Sequence, residues 1–269
     1  MPFVTKNPSY YFAALSDESA TESLHIGLFL GGTISNEKRQ DLITLARLIR
    51  QSSRSIRCLW LRFKDGDESL LSAFRAFGEE LAAVDTAAAT GAEKGAGIQS
   101  LVFEGRVNTD VISCLSDFLF IENNNDLRGI QFRRTDVDIT TFTLLRPFFT
   151  QSNDTLKVID MSSNPNVGDE CIDELLGALL DGETKIETLN ITENNLDGED
   201  DDSRRITGDC VASIASYVSQ SKLYVVGYVD MYCTFAYLDT HIICTHLLPL
   251  FYNSTSSIRY EYHIATPTP

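Results

Sequence analysis

The sequence is short of positive charge. Lysine and arginine together number 22 against 38 aspartates and glutamates, which gives a formal net charge of −16 over 269 residues. An acidic excess of this size repels phosphate backbones and anionic lipid headgroups. We therefore expect neither a nucleic-acid partner nor a membrane-surface partner.

The sequence as given indicates neither a secretory signal nor a disulfide framework. The first 23 residues contain no basic region that leads into an apolar stretch, so the expected compartment is the cytoplasm, with the nucleus as the alternative. The cysteines are scattered at long intervals in a chain that is long enough to build its own core, which favours reduced, mostly buried thiols. These residues are Cys58, Cys114, Cys171, Cys210, Cys233 and Cys244.

Motifs of catalytic and metal sites are absent as well. The Gly-rich fragment 91–97 lacks the ending of a phosphate-binding loop, and the acidic run 197–202 lacks the order of a calcium loop. His241, Cys244 and His246 are close in sequence, but steps of three and five do not share one helix face. No serine or cysteine stands near a histidine in a nucleophile motif. We expect no enzymatic activity, no cofactor and no metal.

What the sequence does contain is a repeat. Residues 156–164 (LKVIDMSSN) and 186–194 (IETLNITEN) both fit the pattern L-x-x-L-x-L-x-x-N. The apolar spacing continues upstream without the Asn, and weaker copies stand at both ends. The central apolar residues of the seven copies are Leu28, Leu59, Leu101, Ile130, Ile159, Leu189 and Val226.

The spacing between copies also locates two insertions. Leu101, Ile130, Ile159 and Leu189 follow one another at 29 to 30 residues. The interval before Leu101 is longer and contains the Gly-rich run 85–97, and the interval after Leu189 contains the charged run 198–205. Neither run has an apolar face, so both are predicted to be surface insertions.

Helical patterns lie between the copies. Leu70, Phe74, Phe77 and Leu81, for example, recur at three- and four-residue steps along one face. Similar patterns include Leu42, Leu45 and Ile49; Val111, Leu115 and Phe118; Ile172, Leu175 and Leu179; and Val211, Ile214 and Val218. Each unit is thus predicted to be one strand followed by one helix, which makes neighbouring strands parallel. Because packed helices are wider apart than strands, the stack should curve with its strands inside.

These residues resemble the ribonuclease-inhibitor-like family of leucine-rich repeats over roughly residues 24–230. The resemblance implies an α/β fold, a horseshoe-shaped solenoid with a parallel sheet on its concave face and helices on its convex face. It divides the chain into an N-terminal segment or cap (1–23), the solenoid (24–231) and an irregular C-terminal cap (232–269). The apolar part of that cap, 232–252, is interrupted by Asp239 and two histidines, so we expect it not to span a membrane.

In such repeats the Asn side chain bonds backbone in the turn that follows each strand. The two best copies place Asn164 and Asn194 there, so both are expected to be buried and bonded to turn backbone. The other copies have different residues at this position, and their turns should be looser or satisfied by other groups. Those residues are Thr33, Lys64, Arg106, Thr135 and Met231.

The same resemblance gives a candidate binding face, because alternate residues of each strand point to the concave surface. The middle row is Phe29, Trp60, Val102, Gln131, Asp160, Asn190 and Gly227, and the next row is Gly31, Arg62, Glu104, Arg133, Ser162, Thr192 and Val229. An apolar patch of Phe29, Trp60 and Val102 is therefore expected beside a ladder of Arg62, Glu104 and Arg133. Aromatic residues with arginine at the rim are typical of protein interfaces.

The predicted function is a scaffold that binds a protein partner through this face. The predicted contact residues are Phe29, Trp60, Arg62, Val102, Glu104, Gln131, Arg133, Asp160 and Asn190. In an alternative interpretation the patch is covered by the N-terminal segment, which contains Tyr10, Tyr11 and Phe12.

A second candidate function comes from Ran-type GTPase-activating proteins, which the chain also resembles in its long leucine-rich repeats and acidic content. In those proteins the acidity belongs to a C-terminal tail, whereas here the run 197–202 lies inside a repeat and the chain ends in ATPTP. GTP hydrolysis by purified Ran separates the two candidates. A binding scaffold should leave the hydrolysis rate unchanged, and stimulation would contradict a role in binding alone.

Overall fold

A computed structural model describes most of the first two thirds of the chain. The described residues are 6–17, 23–52, 55–83, 97–119, 126–151, 155–184, 186–191, 194, 213–214 and 216–217. The two predicted insertions, apart from Gly97, and the predicted C-terminal cap lie outside them. So does the predicted strand at Val226.

Six parallel strands form one sheet in the described part, and their order in the sheet is their order in the sequence. The strands are β1 (Leu24–Gly32), β2 (Ile56–Gly66), β3 (Ser100–Gly105), β4 (Gly129–Thr135), β5 (Val158–Asp160) and β6 (Thr188–Asn190). This confirms the predicted parallel α/β arrangement and six of the seven predicted strand positions.

Helices follow the strands along the chain. A short 3-10 helix, Pro8–Tyr11, and α1 (Phe12–Ser16) precede the sheet. The others are α2 (Asn36–Gln51), α3 (Glu68–Ala82), α4 (Thr109–Ser113), α5 (Ser116–Leu119), α6 (Ile139–Gln151) and α7 (Asp169–Asp181).

The core lies between one face of the sheet and the helices. Leu59, Leu61 and Phe63 alternate along β2 with exposed or half-buried residues, and all three are buried. Phe74 and Phe77 of α3 are buried in the same cluster, with the Phe63 and Phe74 rings edge to face at 4.9 Å. Period-two burial on the strands and helical periodicity on the helices thus meet in one apolar layer.

The predicted helix through Val111, Leu115 and Phe118 is interrupted. All three side chains are buried as expected, but the chain forms two short helices, α4 and α5, that are separated by a turn at residues 114–115. The Ser113 and Ser116 hydroxyls donate to the carbonyls of Asp110 and Ser113, at 2.7 and 2.8 Å. Such local bonds compete with continuous helix.

Gly78 of α3 allows the interrupted segment to pack closely. A Cβ atom at Gly78 would lie 2.0 Å from the carbonyl oxygen of Cys114, which is inside van der Waals contact. The missing side chain therefore lets α3 approach the backbone of the turn itself.

The turns after β4, β5 and β6 are joined by asparagine side chains. Asn164 Oδ1 accepts from the backbone N–H of Thr135 at 2.8 Å, and Asn194 Oδ1 accepts from the N–H of Asn164 at 2.8 Å. Each amide nitrogen donates to the carbonyl three residues earlier, Met161 for Asn164 and Ile191 for Asn194. We call this series the asparagine ladder. It confirms that Asn164 and Asn194 are buried and bond turn backbone.

Other groups serve the turns without Asn, as the sequence led us to expect. The Thr135 hydroxyl donates to Asn164 Oδ1 at 2.6 Å, so the threonine joins the ladder from the preceding unit. After β1, the Thr33 hydroxyl donates to Asp67 at 2.6 Å and the backbone N–H of Ile34 donates to the Ser69 hydroxyl at 2.8 Å. The turns at Thr33 and Thr135 are therefore held by partners other than their own asparagine.

A left-handed residue stands directly before the asparagine position in four of the turns. These residues are Gly32, Gly105, Arg134 and Ser163, with φ between 53° and 86°. Two constraints favour glycine at position 105. Its φ is positive, and a Cβ atom there would lie 2.1 Å from the carbonyl oxygen of Phe63. At Arg134 and Ser163 a non-glycine residue accepts a conformation that costs roughly 1–2 kcal/mol. The asparagine ladder follows immediately and holds both of these turns.

None of the helices in the described part is long and apolar enough to cross a lipid bilayer. The segment 232–252 lies outside the described residues.

Replacing Asn164 with Ala is expected to lower the free energy of unfolding by about 1–3 kcal/mol, because buried donors and acceptors at the end of β4 and in the turn after β5 lose their partner. A urea melt measures the change. Asn36→Ala, at an exposed position of α2, is the control and should be nearly neutral. A loss below about 0.5 kcal/mol for Asn164→Ala would show that the turns are held without the ladder.

Candidate functional site

The sheet has a second face, opposite the helices, which we call the open face. Two rows of side chains cross it in register. The first row is Gly27, Trp60, Val102, Gln131, Asp160 and Asn190, and the second is Phe29, Arg62, Glu104 and Arg133. From β2 onward the first row as far as Asn190 and the second row as far as Arg133 agree with the sequence prediction. Ser162 lies in the turn after β5, and Thr192, Gly227 and Val229 lie outside the described residues.

The predicted register of β1 was wrong by two residues. Leu59 pairs with Ile26 and not with Leu28, so Gly27 stands opposite Trp60 and Phe29 stands opposite Arg62, where Gly31 was expected. A shift of two residues keeps every side chain of β1 on its predicted face of the sheet. The predicted face was therefore correct, whereas the predicted neighbours on β2 were wrong. Aligning all three apolar residues of β1, Ile26 included, with those of β2 would have given the true register.

Phe29 is consequently not directly opposite Trp60, as the expected apolar patch required. Phe29 lies in the second row, one strand from Arg62 rather than beside Trp60. Val102 does stand next to Trp60, but its side chain is buried, and Trp60 is half-buried. Phe29 alone of the three is exposed, at 37%. The exposed apolar surface therefore lies at Phe29.

The charged ladder of Arg62, Glu104 and Arg133 is present, since these residues are neighbours on three adjacent strands. Arg62 Nε lies 3.7 Å from Glu104 Oε1. Arg133 reaches across to β5, where its terminal nitrogen lies 2.7 Å from Asp160 Oδ2 and its Nε donates to the same oxygen at 2.9 Å. Alternating charge thus continues over four strands.

Both carboxylate oxygens of Asp160 accept hydrogen bonds on the open face. Besides Arg133 on one oxygen, its other oxygen accepts from the backbone N–H and the hydroxyl of Ser162, at 3.0 and 2.6 Å. Its side chain is only 6% exposed. A buried carboxylate needs such partners, and these fix it as an anchor for the Arg133 guanidinium rather than as a free ligand.

Lys64 was not among the predicted contact residues. It follows Arg62 by two positions on β2 and therefore points to the same face. Its ammonium group lies 5.5 Å from the centroid of the Phe29 ring, within cation–π range. The alternation of Trp60, Arg62 and Lys64 was visible in the sequence, but the two-residue error in β1 concealed the contact with Phe29.

The described part of the N-terminal segment lies along the outer edge of β1. The backbone N–H of Lys6 donates to the Gly27 carbonyl at 3.0 Å, and Lys6 forms an isolated parallel bridge with Leu28. The Tyr11 hydroxyl bonds both the N–H and the carbonyl of Gly27, at 2.9 and 3.1 Å. The alternative prediction placed Tyr10, Tyr11 and Phe12 over the Trp60 patch. In the structure Tyr11 instead satisfies an edge strand, Phe12 packs against the core, and Tyr10 is 64% exposed.

The described cysteines are free and buried, as predicted for Cys58, Cys114 and Cys171. Burial raises the pKa of the Cys58 thiol to about 11, although the positive charge of Arg133 acts in the opposite direction. Burial likewise raises the pKa of Cys114 and of Cys171. Such thiols stay protonated at neutral pH and are poor nucleophiles. Cys210, Cys233 and Cys244 lie outside the described residues.

No group of three or more His, Cys, Asp or Glu side chains within the described ranges is arranged to hold a metal ion. His241, Cys244 and His246 lie outside those ranges, as do 91–96 and 197–202.

Comparison of the sequence with known protein-family models found no match, and comparison with curated proteins found none either. The class of the protein therefore rests on its own geometry. It is an α/β protein whose described part carries a six-stranded parallel sheet.

Cys58 is expected to resist alkylation in the folded protein. Raising its pKa from 9.0 to about 11 lowers the thiolate fraction at neutral pH by about a hundredfold, and burial restricts access further. Iodoacetamide labelling, followed on the Cys58 peptide by mass spectrometry, should be at least that much slower in native protein than in urea. The rate should rise as the pH approaches 11. Equal rates in the two states would show that the thiol is accessible in the folded protein and that its pKa is not raised.

Proposed function

We propose that this protein is a leucine-rich-repeat scaffold of the ribonuclease-inhibitor-like kind, and that it binds a protein partner through the open face. The solenoid is supported by strand–helix units that follow one another in spatial order and by the asparagine ladder between their turns. Because helices need more width than strands, such a stack curves with the open face inside. The open face is then the concave surface.

The observation that carries the binding proposal is the second row of the open face. Phe29, Arg62, Glu104 and Arg133 stand on four adjacent hydrogen-bonded strands and point away from the core. A strand fixes the direction of each side chain, so these groups are preorganised to meet a partner with little loss of backbone entropy. Exposed aromatic and arginine side chains are enriched among residues that dominate protein interfaces.

The contact surface that we propose keeps the predicted residues and adds one. The residues are Phe29, Trp60, Arg62, Val102, Glu104, Gln131, Arg133, Asp160 and Asn190, together with Lys64. Their roles differ. Val102 and Asp160 are buried and shape the surface, whereas Phe29, Arg62 and Arg133 are exposed enough to contact a partner directly.

We place the protein in the cytoplasm, with the nucleus as the alternative. Three described cysteines are free thiols, which agrees with a compartment where thiols are kept reduced. No enzymatic role, cofactor or metal forms part of the proposal.

Trp60→Ala is expected to weaken partner binding by at least about 2 kcal/mol, the loss typical of an interface hot spot. Partners captured by the wild-type protein from lysate of the source cell are identified by mass spectrometry, and the strongest is titrated against each variant. Because Trp60 lies on the open face and is half-buried, its loss should lower the melting temperature far less than Leu59→Ala, which removes about 2–5 kcal/mol from the core.

Tyr10→Ala provides the matched aromatic control, because Tyr10 is exposed but lies on the N-terminal segment. It should leave binding unchanged. Capture that is undiminished by Trp60→Ala, together with an unchanged melting temperature, would contradict binding through the open face.

A further inference from the structure

The charges of the open face are separated by depth. The side chains of Arg62 and Arg133 are 48% and 52% exposed, whereas those of their partners Glu104 and Asp160 are only 17% and 6% exposed. The cationic groups therefore stand above the carboxylates. A partner that approaches this face meets N–H donors before it meets carboxylate oxygens.

Arg62 has unused hydrogen-bonding capacity. Its Nε lies 3.7 Å from Glu104 Oε1, which is close enough for attraction but too far for a hydrogen bond. A guanidinium carries five N–H donors in a planar fork that fits a carboxylate. Arg62 can therefore accept a carboxylate from outside without breaking a hydrogen bond inside the described part of the protein.

Lys64 and Phe29 complete a compact group with Arg62. The Lys64 ammonium lies over the exposed Phe29 ring, and no ion pair to a carboxylate is formed by Lys64 among the described residues. Gly31 helps to make room, since a Cβ atom there would lie 2.8 Å from the Lys64 Cβ. We call Phe29, Arg62 and Lys64 the basic–aromatic corner. It presents an apolar ring with two cations at its side.

The corner contrasts with strongly acidic elements of the chain. Helix α7, for example, has the sequence DECIDELLGALLD, which contains five acidic residues and no basic one. The formal net charge of the whole chain is −16. Exposed positive charge at the corner favours a partner group of opposite sign at that place.

We propose that the basic–aromatic corner binds a protein segment in which an acidic residue stands beside an apolar one. The carboxylate bonds Arg62 and is attracted by Lys64, and the apolar side chain packs on Phe29. This inference rests on the proposed function and names the chemistry of the partner. A protein segment with few charges fits better than a nucleic acid, because the net negative charge of the chain repels a long polyphosphate.

The test is a selection from a library of short random peptides displayed on phage, with the full chain as the target. The same selection is run on Arg62→Glu and on Arg47→Glu. Arg47 matches Arg62 in exposure and in the kind of partner, because its side chain is 51% exposed and pairs with one glutamate, Glu80, that is 18% exposed. Unlike Arg62, it donates hydrogen bonds to that glutamate, so a melt of both variants accompanies the selection. Arg47 lies on α2, away from the open face, so the two variants change the net charge equally but at different places.

Peptides enriched by the wild-type protein should carry Asp or Glu next to a large apolar residue. A synthetic copy of one such peptide should bind the Arg62→Glu protein at least about tenfold more weakly, which is the weight of one charge-assisted hydrogen bond. Binding to the Arg47→Glu protein should be unchanged. Replacing the acidic residues of the peptide with their amides should reproduce the loss.

Other outcomes overturn the inference. Neutral or basic peptides whose binding still depends on Arg62 would contradict an acidic partner while leaving the open face as a binding surface. Peptides that are indifferent to both Arg62→Glu and Trp60→Ala would contradict the proposed function itself. A selection that enriches no peptide would contradict an acidic protein segment as the partner. Tighter binding of a single-stranded oligonucleotide, or self-association in sedimentation that Arg62→Glu abolishes, would assign the corner to another partner instead.

Discussion

The side-chain amide of Asn164 is the contact on which the regularity of this structure depends most. Its oxygen accepts from the backbone N–H of Thr135 in the preceding turn, and its nitrogen donates to the Met161 carbonyl in its own turn. The backbone N–H of Asn164 donates to the side chain of Asn194 in the next turn. Parallel strands joined by helices stay in register only if the chain leaves each strand in the same way. A buried amide satisfies donors and acceptors that would otherwise be left unpaired away from water. The open-face side chains of β4, β5 and β6 keep their spacing because these turns do.

Most of the fold could be predicted because burial imposes a period of two on the strands and of about 3.6 on the helices. The errors in the prediction arise where the periodicity of burial does not determine the structure. A strand displaced by two residues buries the same face, so the apolar pattern of β1 allowed Leu28 to be aligned with Leu59 in error. The break between α4 and α5 depends on serine hydroxyls and on the closeness of Gly78, which are matters of local bonding and of tertiary contact.

The candidate site was predicted in part for the same reasons. Alternation identified Arg62, Glu104 and Arg133 as neighbours, and the strand pairing bears this out. The alternation of residues along a strand does not indicate how deeply each side chain is buried. It therefore could not show that Val102 and Asp160 are buried while Phe29 is exposed. Nor could it show that Tyr11 bonds the backbone of Gly27, because that contact joins residues 16 apart through a side chain.

The contact between Tyr11 and Gly27 has a consequence for how the protein behaves at high concentration. A parallel sheet made of similar units ends at an edge strand, which here is β1. Unpaired N–H and carbonyl groups on such an edge can pair with a strand from another molecule. Because a phenol oxygen and the backbone at Lys6 already occupy the Gly27 peptide groups, that edge offers a newcomer no unpaired N–H or carbonyl there. At Gly27 the N-terminal segment therefore occupies the position that a strand from another molecule would need, which removes one point at which two molecules could pair edge to edge.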